Sequence, residues 1–283
     1  MPAGGARGRS PALIALDGGA FRAGTDAANA IPGDGESPVR TMHVAPFRIA
    51  ATAVSVDEFA AFVAATGWVT TAERHGWSFV MAAHPVDPAA IRGRAAGTPW
   101  WLGVDGASWR APHGPGSSAI GGHPVVHVSH DDALAWCAWS ATRLPTEWEW
   151  ELAARGGYEG LDFPWPGVDE PRLADRANVW RGPFPHSTPG VRNGTVPVDA
   201  CEPNAFGLRN VIGNVWEWTA SPWAADDARL VQRGGSYLCH ASYCRRYRVS
   251  ARTAHDREDT AGNVGFRVAA DPDPADPGPV VSR

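Results

Sequence analysis

Ser129-His-Asp-Asp-Ala-Leu-Ala-Trp-Cys-Ala-Trp-Ser-Ala-Thr-Arg-Leu-Pro-Thr-Glu-Trp-Glu-Trp-Glu-Leu-Ala-Ala-Arg-Gly-Gly157 contains two helix starts and a hard stop. Ser129 with Asp132, and Thr146 with Glu149 just after Pro145, have the spacing of a capping box. In that motif a hydroxyl and an acid three residues on satisfy orphan N–H groups of the first turn. The first start predicts a helix carrying Leu134, Trp136 and Cys137; the second predicts one that stops at Gly156-Gly157. Working outward, Ser55 with Glu58 opens a third helix over 56–65, with Phe59, Phe62 and Val63 on one face and Gly67 at its end. Elsewhere Gly and Pro recur too often for long elements. Short strands are expected at 12–16, 43–50, 125–128 and 265–269, with a poorly alternating candidate at 237–249. The fold class is α+β: one irregular domain, low in regular secondary structure, spanning 12–270. Residues 1–11 are Gly/Pro/Arg-rich and 271–283 form a Pro/Asp-rich tail, so both ends are expected to be disordered.

Bulk composition excludes several function classes. The chain has 283 residues, enough for one large domain, and its 44% hydrophobic and 19% charged content fits a globular protein with a sizeable core. All 25 cationic residues are arginine, which reads as coding bias, and a net charge of −5 argues against a nucleic-acid partner. Fourteen tryptophans, each with an indole N–H that needs a partner when buried, predict an interior filled by bulky rings. The apolar run at 12–16 is too short for a signal-peptide core, and no segment approaches a membrane span of roughly 20 apolar residues. Four cysteines in a chain this long do not make a disulfide scaffold. The expected compartment is the cytoplasm, with no membrane association.

Half of those cysteines, Cys239 and Cys244, fall in one dense run, Arg233-Gly-Gly-Ser-Tyr-Leu-Cys-His-Ala-Ser-Tyr-Cys-Arg-Arg-Tyr-Arg248. The spacing is neither Cys-x-x-Cys nor that of a zinc knuckle. Four readings remain open on the residues alone: two core thiols, a disulfide, a zinc site short of two ligands, or a thiolate pair for a soft metal such as copper(I).

The wording around the pair carries a resemblance. Besides 129–157 there are Asn-Ala-Phe-Gly-Leu-Arg-Asn-Val-Ile-Gly-Asn-Val-Trp-Glu-Trp-Thr at 204–219, Arg-Gly-Gly-Ser-Tyr at 233–237 and Asn-Val-Gly-Phe-Arg at 263–267. Their order resembles the formylglycine-generating enzymes, the sulfatase-modifying factor family, from Gly18-Gly-Ala-Phe-Arg22 to Val268. The 143–151 and 213–218 pieces mark the wider superfamily, with its C-type-lectin-like fold. The Gly234–Arg248 run is similar to the active-site signature of the enzymes themselves.

The resemblance implies oxidation by O₂ of the cysteine in a Cys-x-Pro-x-Arg segment of an unfolded sulfatase polypeptide to Cα-formylglycine. It implies copper(I) on Cys239 and Cys244, and Ser236 in the oxygen or substrate-sulfur pocket. His240 is implied beside the pair, read either as a participant or as a satisfied structural group. Tyr243, Arg246, Tyr247 and Arg248 either shape the groove or brace the loop. Trp100 and Trp101 either wall the substrate proline or pack in the core. Two structural calcium sites are implied, one from Asn178, Val179, Asp199 and Cys201, the other from Asn210, Gly213, Val215 and Glu217. Cys137 is expected to be an unpaired core thiol, and the protein a monomer. Two other functions compete: a non-catalytic lectin-like binding protein, and a relative of the iron sulfoxide synthases, for whose additional helical domain the chain has no room.

Overall fold

The computed structural model describes residues 11–186, 189–191, 193–273 and 280–281. All three expected helices form where their caps place them. α1 (Val56–Thr66) starts at Ser55 and ends at Gly67 in the left-handed conformation; its Phe59, Phe62 and Val63 are buried. A short α2 (Thr71–His75), opened by a Thr70/Glu73 capping box and closed by Gly76, was not anticipated. α3 (His130–Ser140) follows Ser129, and α4 (Glu147–Arg155) runs from Thr146 to Gly156. Asp132 does more than cap α3: it accepts from the Trp68 indole at 2.9 Å and from the Thr71 N–H, fastening the start of α2 to α3. Leu134, expected among the residues defining α3, is 40% exposed, because the buried face is Ala133, Trp136 and Cys137.

Among the described residues the strands form four small sheets. One contains β1 (Leu13–Leu16), β4 (Phe47–Ala50), β12 (Ala269–Ala270) and β13 (Val280–Val281). A second pairs β2 (Gly19–Ala23) with β3 (Arg40–Val44). A third places β7 (Thr98–Asp105) between β5 (Trp77–Met81) and β6 (Ile91–Ala95). The fourth, in the order β10-β9-β8-β11, consists of β8 (Trp216–Ala224), β9 (Asp227–Arg233), β10 (Arg252–His255) and β11 (Val264–Phe266).

Several strand expectations are corrected. The single strand at 43–50 is two strands in different sheets, parted at Ala45-Pro46, where proline cannot donate to a ladder. Residues 125–128 are not a strand. Val125 N–H bonds Val54 O and His127 N–H bonds Ala261 O, so successive residues are held by different segments. The stretch 265–269 splits into β11 and β12, which join different sheets. Residues 237–249 fold as turns. Val280–Val281 pairs in parallel with β1; residues 274–279 and 282–283 of the tail expected at 271–283 lie outside the described residues. The N-terminal segment 1–10 lies outside the described residues.

The core is filled by rings, as the tryptophan count suggested. Trp136, Trp150 and Trp218 are fully buried; the Trp218 indole donates to Val128 O at 3.0 Å and that of Trp150 to Glu217 at 2.7 Å. Three arginines are just as deep: Arg233, Arg248 and Arg267. Each is matched by a buried carboxylate, namely Glu151, Glu36 and Glu217. With so little regular ladder, these bidentate and branched pairs satisfy main-chain and side-chain groups together. Arg267, for example, also donates to the carbonyls of Ala50 and Arg209.

Candidate functional site

β9 delivers the chain to Gly234-Gly235, both at positive φ (+91° and +70°). A Cβ on Gly235 would stand 2.9 Å from Tyr247 Cα, so only glycine lets the two ends of the 235–247 loop approach this closely. Gly235→Ala is therefore expected to lose about 2–3 kcal/mol of stability from backbone strain and the forced shift of residue 247. A lower denaturant midpoint would show it; an unchanged midpoint would mean that the loop closure is not tight.

Two turns then shape the loop. Cys239 N–H bonds Ser236 O at 2.9 Å, and Cys244 N–H bonds His240 O at 2.8 Å. The second is a single helical-type turn that folds residue 244 back on residue 239. Sγ of Cys239 and Sγ of Cys244 end 3.1 Å apart, as free thiols in hydrogen-bond contact. Cys239 is buried and Cys244 half-buried. Burial, reinforced by the neighbouring sulfur, raises the Cys239 thiol well above its ordinary value. The hydrogen bond from Cys239, with help from the Arg246 N–H and charge, outweighs burial at Cys244 and lowers it to about 7. The pair thus favours one thiol and one thiolate.

Both sulfurs border a cavity of about 370 Å³, within the range of ligand sites. Ser236 lies in its wall. The Ser236 N–H points at Cys239 Sγ at 3.4 Å, and its Oγ accepts from Asn263 Nδ2 at 2.9 Å. Trp101, Tyr243 and Arg246 also line the cavity. Trp100 does not; it packs edge-on against Phe184 and Tyr243, and Tyr243 stacks on Phe184 at 4.4 Å. His240 is absent from the cavity wall. Its Nδ1 bonds Ser242 Oγ at 2.8 Å, and the residue borders a separate hollow with Glu170 and Trp180.

The arginines of the loop brace it. Arg245 makes two bonds to Glu170, and Arg246 makes two to Asp34 at 2.5 and 3.0 Å. Arg248 makes two to Glu36, both 2.6 Å, and Tyr247 donates to Glu170. Of the four residues read as groove or brace, Arg248 and Tyr247 are buried braces, Tyr243 is a wall, and Arg246 is both.

The donor set suits copper(I), a soft ion that selects thiolates: two adjacent free sulfurs, one of them acidic, stand on the wall of a cavity. The two calcium sets differ. In the second, Asn210 Oδ1 is buried without a hydrogen-bond partner among the described residues, an oxygen of the type Ca²⁺ takes. Glu217, in the same set, already accepts from Arg267 and Trp150. In the first set the main-chain carbonyls of Asp199 and Cys201 both accept from Arg209 Nη1, and the Asn178 amide is bonded to Gly194 O and Asn214 Oδ1. A guanidinium thus already holds one oxygen of this set, the Cys201 carbonyl, as Arg267 holds Glu217 in the second. Cys137 is a buried free thiol, pushed up to about 12 by burial.

Sequence reasoning missed Asn263, Gln232 and Phe184. Asn263 opens the Asn-Val-Gly-Phe-Arg segment, but nothing local says that its amide reaches Ser236. Gln232, on β9, lines the cavity and carries no motif at all.

Comparison with known proteins places this geometry in context. The model of the Sulfatase-modifying factor enzyme 1-like domain matches residues 2–272. A protein of Thermomonospora curvata named formylglycine-generating enzyme is 49% identical, over 92% of this chain and 93% of its own. A Bos taurus protein named inactive C-alpha-formylglycine-generating enzyme 2 is 42% identical, over 93% of this chain and 89% of its own. The structure of PvdO from Pseudomonas aeruginosa superposes with a TM-score of 0.68, covering 92% of this chain and 94% of that one, at 24% identity. The last shows a shared fold.

Proposed function

The chain belongs to the sulfatase-modifying factor family, that of the formylglycine-generating enzymes, and from this premise we propose that it oxidises the cysteine of a Cys-x-Pro-x-Arg segment in sulfatases to Cα-formylglycine. The observation that carries the reading is the pair of free thiols, Cys239 and Cys244, 3.1 Å apart on the wall of the cavity. Identity alone does not, since a relative named inactive is 42% identical.

The chemistry explains why such a pair is needed. A cysteine Cβ–H is not acidic, so an acid–base pair cannot remove it and an oxidant is required. Taking one hydrogen from sulfur and one from Cβ leaves a thioaldehyde, with O₂ as acceptor of the hydrogens and electrons. Water then replaces sulfur, giving the aldehyde and H₂S. Copper(I), which Cys239 and Cys244 would hold, would supply the reactivity toward O₂ and the affinity for the substrate sulfur. The chain's own residues orient and enclose. Ser236, its Oγ held by Asn263, fixes a hydroxyl beside Cys239. Trp101 and Tyr243 form apolar walls that exclude water, and Arg246, tied to Asp34, keeps a cation next to Cys244. His240, bonded to Ser242 outside the cavity, has no assigned step. The direct test is aldehyde formation in a Cys-x-Pro-x-Arg peptide, dependent on both copper and O₂. A lectin-like binding role would leave the peptide chemically unchanged.

Structural calcium is proposed at both sets; the test falls on the second, where Asn210 Oδ1, the carbonyls of Gly213 and Val215, and Glu217, shared with Arg267, would hold it. At a hundredfold excess over Kd, binding adds about 2.7 kcal/mol, or about 5–10 °C in Tm. Calcium is expected to raise the Tm of the wild type by that amount and that of Asn210→Ala not at all. A wild-type Tm indifferent to calcium and chelator would remove the site from the account. The proposed cellular setting is a cytoplasmic monomer acting on sulfatase chains before they fold.

A further inference from the structure

One wall of the cavity is the face of a sheet. Gln232 on β9 lies opposite Trp218 on β8 and Thr253 on β10, and directly opposed residues in antiparallel strands project to the same side. Thr253 and His255 alternate onto that side, and both line the cavity, as does Gln232. Gln232 is fully buried, and neither its amide oxygen nor its amide nitrogen has a hydrogen-bond partner among the described residues. Leaving a buried donor and acceptor both unmade costs about 1–3 kcal/mol for each group, so such a side chain in a cavity wall points to a ligand.

The charged groups of the same cavity are already engaged. Arg246 is paired with Asp34, and His255 lies 3.3 Å from Asp259 near the surface. The group left over is neutral, with donor and acceptor side by side, and its complement is another amide.

We infer that Gln232 reads the main chain of the substrate, its side-chain amide pairing with a peptide unit next to the target cysteine. The inference rests on the proposed function, in which the occupant of this cavity is a polypeptide. It also fits the motif. Two of the five positions in Cys-x-Pro-x-Arg are unspecified, and a contact to the backbone is indifferent to the side chains there. The sheet supplies binding while the sulfurs, which line the same cavity, handle the reacting side chain.

The test separates binding from chemistry by using a peptide with Ser in place of the target cysteine, its Kd read by fluorescence. Gln232→Leu keeps the volume and removes both polar groups. The expected result is a Kd about tenfold weaker than wild type, with Tm and copper(I) stoichiometry retained. Replacing single peptide bonds of the ligand by esters should weaken wild-type binding at one position and leave the Leu variant unaffected there. A Kd within twofold of wild type in Gln232→Leu overturns the inference and marks an amide satisfied by internal water. So does an ester penalty at no position that depends on Gln232. If the wild type binds the serine peptide through Gln232 yet never forms aldehyde from the cysteine peptide, the subsite stands and the proposed reaction falls. If the wild type does not bind the peptide, both fall.

Discussion

Cys239→Ser and Cys244→Ser are each expected to abolish stoichiometric copper(I) binding and to lower aldehyde formation by about a thousandfold or more. Serine preserves the shape of both side chains, so the 240–244 turn, held by main-chain bonds, should survive. What is lost is softness: a hydroxyl is a poor ligand for copper(I), and one remaining sulfur does not make a site. Because the two sulfurs act as a unit, the double variant should be no worse than either single one. Titration against a copper(I) chelator, with initial rates on the peptide, provides the check. A single variant that keeps both copper and rate would remove the pair from the centre of the account.

The largest effect on stability is expected at Glu36. Its carboxylate accepts two bonds from Arg248 at 2.6 Å, one from Ser250 Oγ at 2.9 Å and one from the Ile31 N–H at 3.0 Å, all in the interior. Glu36→Ala strands a buried guanidinium, which costs about 3–5 kcal/mol. Glu36→Leu combined with Arg248→Met should recover much of that, because removing both charges leaves no unpaired ion.

The same carboxylate makes stability depend on pH. Burial alone would raise its pKa, but the hydrogen bonds from Arg248 and Ile31, with the Arg248 charge, prevail and hold it below its ordinary value. A depressed carboxylate contributes stability that is fully present above its unfolded pKa, about 4.3, and is lost as pH falls through the lower folded value. Acid unfolding below about pH 4.5 should therefore be steeper in the wild type than in the Leu/Met pair. Equal slopes in denaturant titrations across that range would contradict the assignment.

These two predictions also show what the sequence could and could not reveal. Ser55, Ser129 and Thr146 announced helices because a capping box is a local device, complete within four residues. Thr70 and Glu73 made the same statement for α2, but the helix is so short that no apolar face accompanied the cap. Strands were harder. The segments at 43–50 and 265–269 are each shared between two sheets, and a change of sheet leaves no mark in hydrophobic alternation. Within the site, Cys239 and Cys244 were legible from the words around them, while their spacing left four readings open. The partners that hold the loop were not legible: Asp34 and Glu36 each lie 212 residues from the arginine they bind. Gln232 and Asn263 become candidates only when tertiary folding sets their amides at the cavity and at Ser236. The arginine-only cation content, read as coding bias, concealed three arginines that serve as core braces.

The central claim is that Cys239 and Cys244 together make this chain an aerobic cysteine oxidase. Its most direct measurement is mass spectrometry of a Cys-x-Pro-x-Arg peptide incubated with copper-loaded protein, with and without O₂. The account predicts a product that has lost its sulfur and reacts as an aldehyde, formed only with copper and O₂ together. A peptide recovered with its thiol intact under those conditions would contradict it.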